Sequence, residues 1–228
     1  MASIVRIAAL LLAMAASAQA QNLSIATGGT GGVYYPIGGG LAAALSKYVP
    51  GMQATAEVTG GSVDNLKLIG SGKPYIGFAM TDAAQDALKG EDKFKGNKVA
   101  VKTLAVLYPN RMHVVTIEGT GITKLADLKG RRVSTGSPGS ATEVMAFRVL
   151  EAAGLDRDKD LTRERLGAAE SVNAMKDRKI DAFYRNDLIA VHKEAENFKL
   201  DNQKAAATPV PFHPGAVKYY AERGIRVQ

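Results

Sequence analysis

Apolar positions recur along this chain in two alternating rhythms, and each change of rhythm marks an element. Leu23 and Ile25 alternate with polar neighbours, which predicts a strand ending at Thr27. Ile37, Leu41, Ala44, Leu45 and Tyr48 then recur at helical spacing, with Pro36 suited to a first helical position and Pro50-Gly51 as the stop. Gln53 to Val58 reads as a strand, and Ser62 suits the N-cap of a helix broken at Gly72-Lys73-Pro74. Tyr75 to Met80 reads as a buried strand, with Thr81-Asp82 capping a helix that ends at Gly90. Two strand segments, Thr103 to Tyr108 and Arg111 to Ile117, flank Pro109-Asn110, and Gly119-Thr120-Gly121 follows as a natural boundary. Beyond it come a helical turn at Leu125 to Leu128 and a strand at Arg132 to Thr135. Next is a helix opened by Ser140 and Glu143 at capping-box spacing and closed by Gly154. A helix over Ala169 to Asp177, a strand over Ile180 to Tyr184, a polar helix from Asn186 to about Leu200 and a last helix over Ala216 to Arg223 complete the pattern.

Strands alternating with helices predict an α/β fold with parallel sheets. Ligands in such sheets sit beyond the carboxyl ends of the strands, at helix N-termini. Four loops occupy that position: Gly28 to Tyr35, Gly60 to Asn65, Met80 to Asp82, and Gly136 to Thr142. Three lie in the first half and one in the second, which predicts two lobes around a shared cleft.

The first loop is the most distinctive. Seven glycines fall in the fifteen residues from Ala26 to Gly40. Such a loop lets bare backbone N–H groups converge on an anion in front of a helix N-terminus. It is neither a Walker loop nor a G-x-G-x-x-G turn. A tight strand-to-helix connection is the simpler reading, but three Gly-Gly pairs and two tyrosines exceed what a turn needs. One of Tyr34 and Tyr35 is expected to offer a hydroxyl or ring to the cleft. Ser62 reads equally as a cap and as a ligand contact, and Asn65 as a solvated helix residue or a contact beside Gly60-Gly61. For Thr81 and Asp82, capping is the default and ligand contact the alternative. At Ser137, Ser140 and Thr142, hydroxyls together with free backbone N–H groups suit a carboxylate.

Composition removes several classes of function. There is no cysteine, hence no disulfide scaffold, thiolate metal site or cysteine nucleophile. The net charge is +7, but the basic residues are spread along the chain without interleaved aromatics, and there is no Trp, which argues against nucleic-acid binding. Residues 1–20 read as a cleavable secretory signal: Arg6, an apolar stretch from Ile7 to Ala16, and Ala18-Gln19-Ala20 as the cleavage site. That stretch is too short to span a bilayer, and no later segment is long and apolar enough.

Catalytic and metal-binding readings find little support. His113 sits in an apolar strand and reads as a satisfied core residue. His192 and Glu196 share a helix face without the HExxH order, so no metal is expected. No nucleophile elbow or S-x-x-K motif is present. The acidic residues Glu57, Asp64 and Asp86 fall in different elements. Charge clusters such as Arg157 to Asp160 read as solvated surface. No cofactor and no enzymatic activity are expected.

Several segments together carry a family resemblance. They are TGGTGGVYYPIGG at 27–39, EVTGGSVDNL at 57–66, IGFAMTDAA at 76–84, LYPNRMHVV at 107–115, LKGRRVSTGSPGSATE at 128–143, LGAAESVNAMKDRKIDAF at 166–183 and HPGAVKYYAERG at 213–224. In this order they resemble TAXI-type solute receptors of TRAP transporters. The resemblance implies a type II periplasmic binding-protein fold of two α/β lobes, which captures a small anionic solute, a carboxylate or amino acid such as glutamate or 2-oxoglutarate. It implies delivery to the membrane permease subunits of an ion-driven TRAP transporter. It also places Tyr35, Ser62, Asn65, Thr81, Asp82, Ser137, Ser140 and Thr142 in segments lining the cleft.

The chain departs from that pattern after Phe183, where it passes at once into what resembles the family's late C-terminal helix. An internal deletion or a degenerate copy is therefore expected. The organisation expected is a signal at 1–20, a first lobe at 21–118, a truncated second lobe at 119–184 and a C-terminal helical segment at 185–228 that packs back on the lobes. The second half supplies only two clear strands, marginal for a sheet. A periplasmic enzyme on the same scaffold and a non-binding remnant are the competing readings.

Overall fold

The computed structural model describes residues 21–73, 75–186 and 199–227. The proposed signal at 1–20 and the polar helix expected from Asn186, with His192 and Glu196, lie outside the described residues.

The first sheet holds β1 (Gln21–Ala26), β2 (Met52–Glu57) and β3 (Tyr75–Gly77) in the order β2-β1-β3, all parallel. The chain leaves β1 in one direction through α1 (Tyr34–Tyr48) and returns past it through α2 (Ser62–Gly70). Right-handed crossovers in opposite directions put these helices on opposite faces, with β1 at the switch point where a crevice opens. One face packs Ile25, Ala42 and Phe78. The other packs Val63 and Leu66 of α2 against Ala83, Ala84 and Ala87 of α3 (Thr81–Lys89).

The second sheet has four strands: β4 (Met112–Thr116), β5 (Arg132–Ser134), β6 (Thr162–Glu164) and β7 (Ala182–Asn186), in the order β4-β7-β5-β6. The pair β4 with β7 is antiparallel and the other pairs are parallel. Helices α4 (Ala141–Ala152) and α5 (Ala168–Lys176) accompany it. Two features correct the sequence reading. β4, which falls within 21–118, pairs in the second sheet through Val114↔Tyr184 and its neighbours. β6 is a strand that the sequence reading did not include. Arg163 of β6 and Arg165 just beyond it, two residues apart, reach the same carboxylate of Glu143 on α4, so an alternation of charged residues here accompanies a strand.

Thr103 to Tyr108 forms no ladder strand. Thr103 makes an isolated bridge with Phe212. Further along, the Gln203 side chain takes the place of a neighbouring strand. Its amide donates to the Val106 carbonyl at 2.6 Å and accepts from the Val106 N–H at 2.8 Å. The last helix, α6 (Pro214–Ala221), starts at the N-cap His213, whose Nδ1 accepts from the Gly215 N–H at 3.1 Å. Tyr220 donates to the Leu104 carbonyl at 3.1 Å, closing a small apolar cluster with Phe212 and Val227.

Helix α4 joins the two halves. Ala141 and Val144 belong to the core of α2 and α3, whereas Ala146 and Leu150 belong to the core of the second sheet with Leu128, Val133 and Ala182. One helix thus supplies apolar side chains to both cores, and the lobes are continuous through it.

Candidate functional site

The carboxyl ends of β1 and β3 face those of the second sheet across a cleft of about 120 Å³. That is well below the roughly 300–1,000 Å³ of sites for drug-sized ligands, so the cleft suits a small solute. Gly28, Gly29, Gly32 and Tyr34 supply one wall, Gly60 to Ser62 and Met80 a second, and Gly136 to Thr142 with Gly167 and Ala168 a third. Asn110, Tyr184, Arg185 and Asn186 complete the lining, and Arg185 is the only charged residue among the described lining residues.

The loops meet closely. A Cβ on Gly60 would stand 2.2 Å from the Pro138 carbonyl oxygen, and one on Gly31 2.6 Å from the Ala169 Cβ, so only glycine permits these approaches. The Ser137 hydroxyl donates to the Gly60 carbonyl at 3.1 Å. The Gly139 carbonyl accepts from the N–H groups of Val63 and Asp64 at 3.0 and 3.2 Å. The positive end of α2 is therefore spent on the opposite lobe.

Each residue singled out in the sequence can now be placed. Ser62, Ser137, Ser140 and Thr142 line the cleft. Ser62 begins α2 without capping it; its hydroxyl accepts from the Met80 N–H at 3.1 Å. Ser140 is the N-cap of α4, accepting from the Glu143 N–H at 3.1 Å and donating to the Ser137 carbonyl at 2.6 Å. Only half of the expected capping box forms. The buried Glu143 carboxylate turns to Arg165 at 2.5 Å and Arg163 at 3.6 Å, where two guanidiniums offset its desolvation better than one backbone N–H. With Glu143 served by Ser140, the N–H groups of Ala141 and Thr142 in the first turn of α4 have no intrahelical partner.

Four residues fall elsewhere. Tyr35 is off the lining; its neighbour Tyr34 lines the cleft instead and stacks on Phe78 with centroids 5.3 Å apart. Asn65 is fully buried, and its amide donates to the carbonyls of Thr27 at 2.6 Å and Phe78 at 2.7 Å while accepting from the Thr59 hydroxyl at 2.6 Å. It ties β1 to the end of β3, and both hydrogens of its amide nitrogen are used inside the protein. Thr81 is exposed at the start of α3 and caps nothing. Asp82 faces Arg148 on α4 at 3.4 Å, and burial raises its pKa above the usual carboxylate value. The same guanidinium reaches Asp86 at 2.5 Å and Asp92 at 3.3 Å.

The sequence reading passed over Asn110, Tyr184 and Asn186. Tyr184 packs its ring against the second core, and burial pushes its hydroxyl up to about 12, so it is protonated at neutral pH. Asn110 stands inside the Pro109-Asn110 break, a turn signal that hid a lining residue. Among the described residues no group of three His, Asp or Glu side chains could hold a metal ion, and no helix is long and apolar enough to cross a membrane.

Solved structures with the same architecture come from several bacteria. A protein from Bordetella bronchiseptica RB50 matches with a TM-score of 0.56 at 23% identity, over 73% of this chain and 51% of its own. A binding-protein component of an ABC phosphonate transporter from Pseudomonas aeruginosa matches at 0.51 and 15%, over 78% and 63%. A cysteine-binding protein from Campylobacter jejuni matches at 0.50 and 14%, over 74% and 64%. The fold is the mixed α/β fold of periplasmic binding proteins, and the chain spans between half and two thirds of these relatives' lengths. A family model matches residues 25–187, ending just past β7. The chain belongs to the NMT1-like family.

Proposed function

We propose that this chain is a periplasmic solute-binding receptor that captures a small anionic solute, a carboxylate or amino acid of the glutamate or 2-oxoglutarate type, for a TRAP-type membrane permease. The observation that carries this reading is the cleft itself. It is small, it is walled by glycine loops and the first turn of α4, and Arg185 is its only described charge. Backbone N–H groups and one cation suit an acid group, and the described lining holds no carboxylate to repel it. The family match and the solute-binding roles of the Pseudomonas and Campylobacter proteins agree with a receptor.

A specific observation favours the second reading, a remnant that no longer binds. The Gly139 carbonyl occupies the N-terminus of α2, and α4 is embedded in both cores. Hinge opening would expose Ala141 and Val144 to water and weaken capture by a chain shortened after Phe183.

Thermal unfolding followed by far-ultraviolet circular dichroism separates these readings, since the chain lacks Trp. A dose-dependent rise in Tm with glutamate, 2-oxoglutarate or a shorter carboxylate, without turnover, is expected. No rise with any acid supports the remnant, and chemical conversion of the acid supports an enzyme.

A further inference from the structure

Three polar atoms on one side of the cleft are buried without a hydrogen-bond partner among the described residues: Asn110 Oδ1, Tyr184 Oη and Asn186 Oδ1. All three residues line the cleft. They come from neighbouring backbone. Asn186 pairs with Met112 and Tyr184 with Val114 in the β4–β7 ladder, and Asn110 precedes β4. The Nδ2 of Asn186 donates to the Met80 Sδ at 2.9 Å, while its Oδ1 accepts nothing among the described residues. Tyr184 is 2% exposed. Buried polar groups in folded proteins are almost always paired, so three orphans on residues that line one cavity mark a place where a bound molecule could supply the partners.

We propose that Asn110, Tyr184 and Asn186 form a donor-reading subsite of this cleft, which takes a hydroxyl or ammonium group of the solute. The proposal rests on the receptor reading above and narrows its solute class. Two amide oxygens are acceptors only, and the tyrosine hydroxyl both donates and accepts. A solute with N–H or O–H groups satisfies them. An oxo group in the same position could accept from the Tyr184 hydroxyl but sets its lone pairs against those of the two amide oxygens and leaves them unpaired. The acid end of the solute then meets the N–H groups of Ala141 and Thr142, which have no intrahelical partner. The favoured class is a small amino acid or hydroxy acid over the oxo acid of the same skeleton.

Titration calorimetry on two matched series tests this: glutamate, 2-hydroxyglutarate and 2-oxoglutarate, then alanine, lactate and pyruvate. The amino or hydroxy member is expected to bind at least roughly tenfold tighter than the oxo acid, the equivalent of one or two satisfied hydrogen bonds. Comparing the amino with the hydroxy member tells ammonium from hydroxyl. Tyr184→Phe and Asn110→Leu should each narrow the preference by roughly two- to tenfold. Tyr184→Phe should also leave the Tm of the unliganded protein unchanged or higher, because it deletes an unpaired buried hydroxyl. A merely structural tyrosine would lower Tm and leave the preference intact. Should Tyr184→Phe not fold, Asn110→Leu decides alone. Equal affinity across a series, or a preference that neither variant moves, overturns the subsite and leaves the receptor reading standing. Absence of binding by every acid overturns both.

Discussion

The carbonyl oxygen of Gly139 accepts a hydrogen bond from the backbone N–H of Val63 at 3.0 Å. A loop of the second sheet thereby caps a helix of the first. Free helix N-termini are ready anion sites, but at α2 the protein's own carbonyl fills that place. The remaining N–H groups at the cleft come from α4 and from the glycine loop ahead of α1, and they decide where an acid group can sit.

Gly60→Ala tests this loop contact. The added Cβ would press on the Pro138 carbonyl oxygen at 2.2 Å, a backbone atom that cannot swing aside. Overpacking of this kind costs about 1–3 kcal/mol. A clear fall in the urea midpoint is expected, and an unchanged midpoint would show that the two loops separate freely.

Asn65→Leu addresses a residue that looked like a ligand contact and proves to be internal. The variant leaves the carbonyls of Thr27 and Phe78 without their donor. Each buried orphan costs roughly 1–3 kcal/mol. Equilibrium unfolding should show a large loss of stability. Full stability with lost solute binding would instead return Asn65 to the cleft.

Asp82 makes stability depend on pH. Burial is the first cause of its raised pKa, with Arg148 pulling the other way. A carboxyl raised in the folded state binds more protons there than in the unfolded chain. Stability therefore falls as pH climbs from the usual carboxylate pKa through the raised one. Asp82→Asn should flatten the profile of Tm against pH in that window. A profile identical to the parent's would contradict the assignment.

Asp181 behaves in the opposite sense. Arg132 holds its pKa down through bonds of 2.7 and 3.2 Å to its two oxygens, and the Arg132 N–H adds a third at 2.9 Å. Stability from this pair is present above the unfolded-state pKa and disappears as pH falls through the depressed folded one. Asp181→Asn should lower Tm at neutral pH and converge with the parent in acid. Parallel curves across the acid range would count against it.

Much of the fold was legible because local patterns recorded it. The periods at Leu23 to Tyr48, the glycine stops at Gly90 and Gly154, and the cap at Ser140 are short-range signals, and the elements they mark formed within a few residues of their expected places. What misled were side chains whose partners lie far away in sequence. The strand carrying Arg163 was missed because the buried Glu143 that its guanidinium reaches lies on another element. Tyr34 and Tyr35 were indistinguishable by pattern; the Phe78 ring selects Tyr34.

The sequence by itself determined an α/β chain with glycine loops at strand ends, because hydrophobic period and turn chemistry are written in neighbouring residues. Only the tertiary structure decided which polar groups face the cleft. Asn65 found buried carbonyls, and Ser62 found the Met80 amide. Asn110, Tyr184 and Asn186 were left with buried polar atoms unpaired. Whether a polar atom is spent or spare depends on what the fold brings within about 3 Å of it, and no local pattern records that distance.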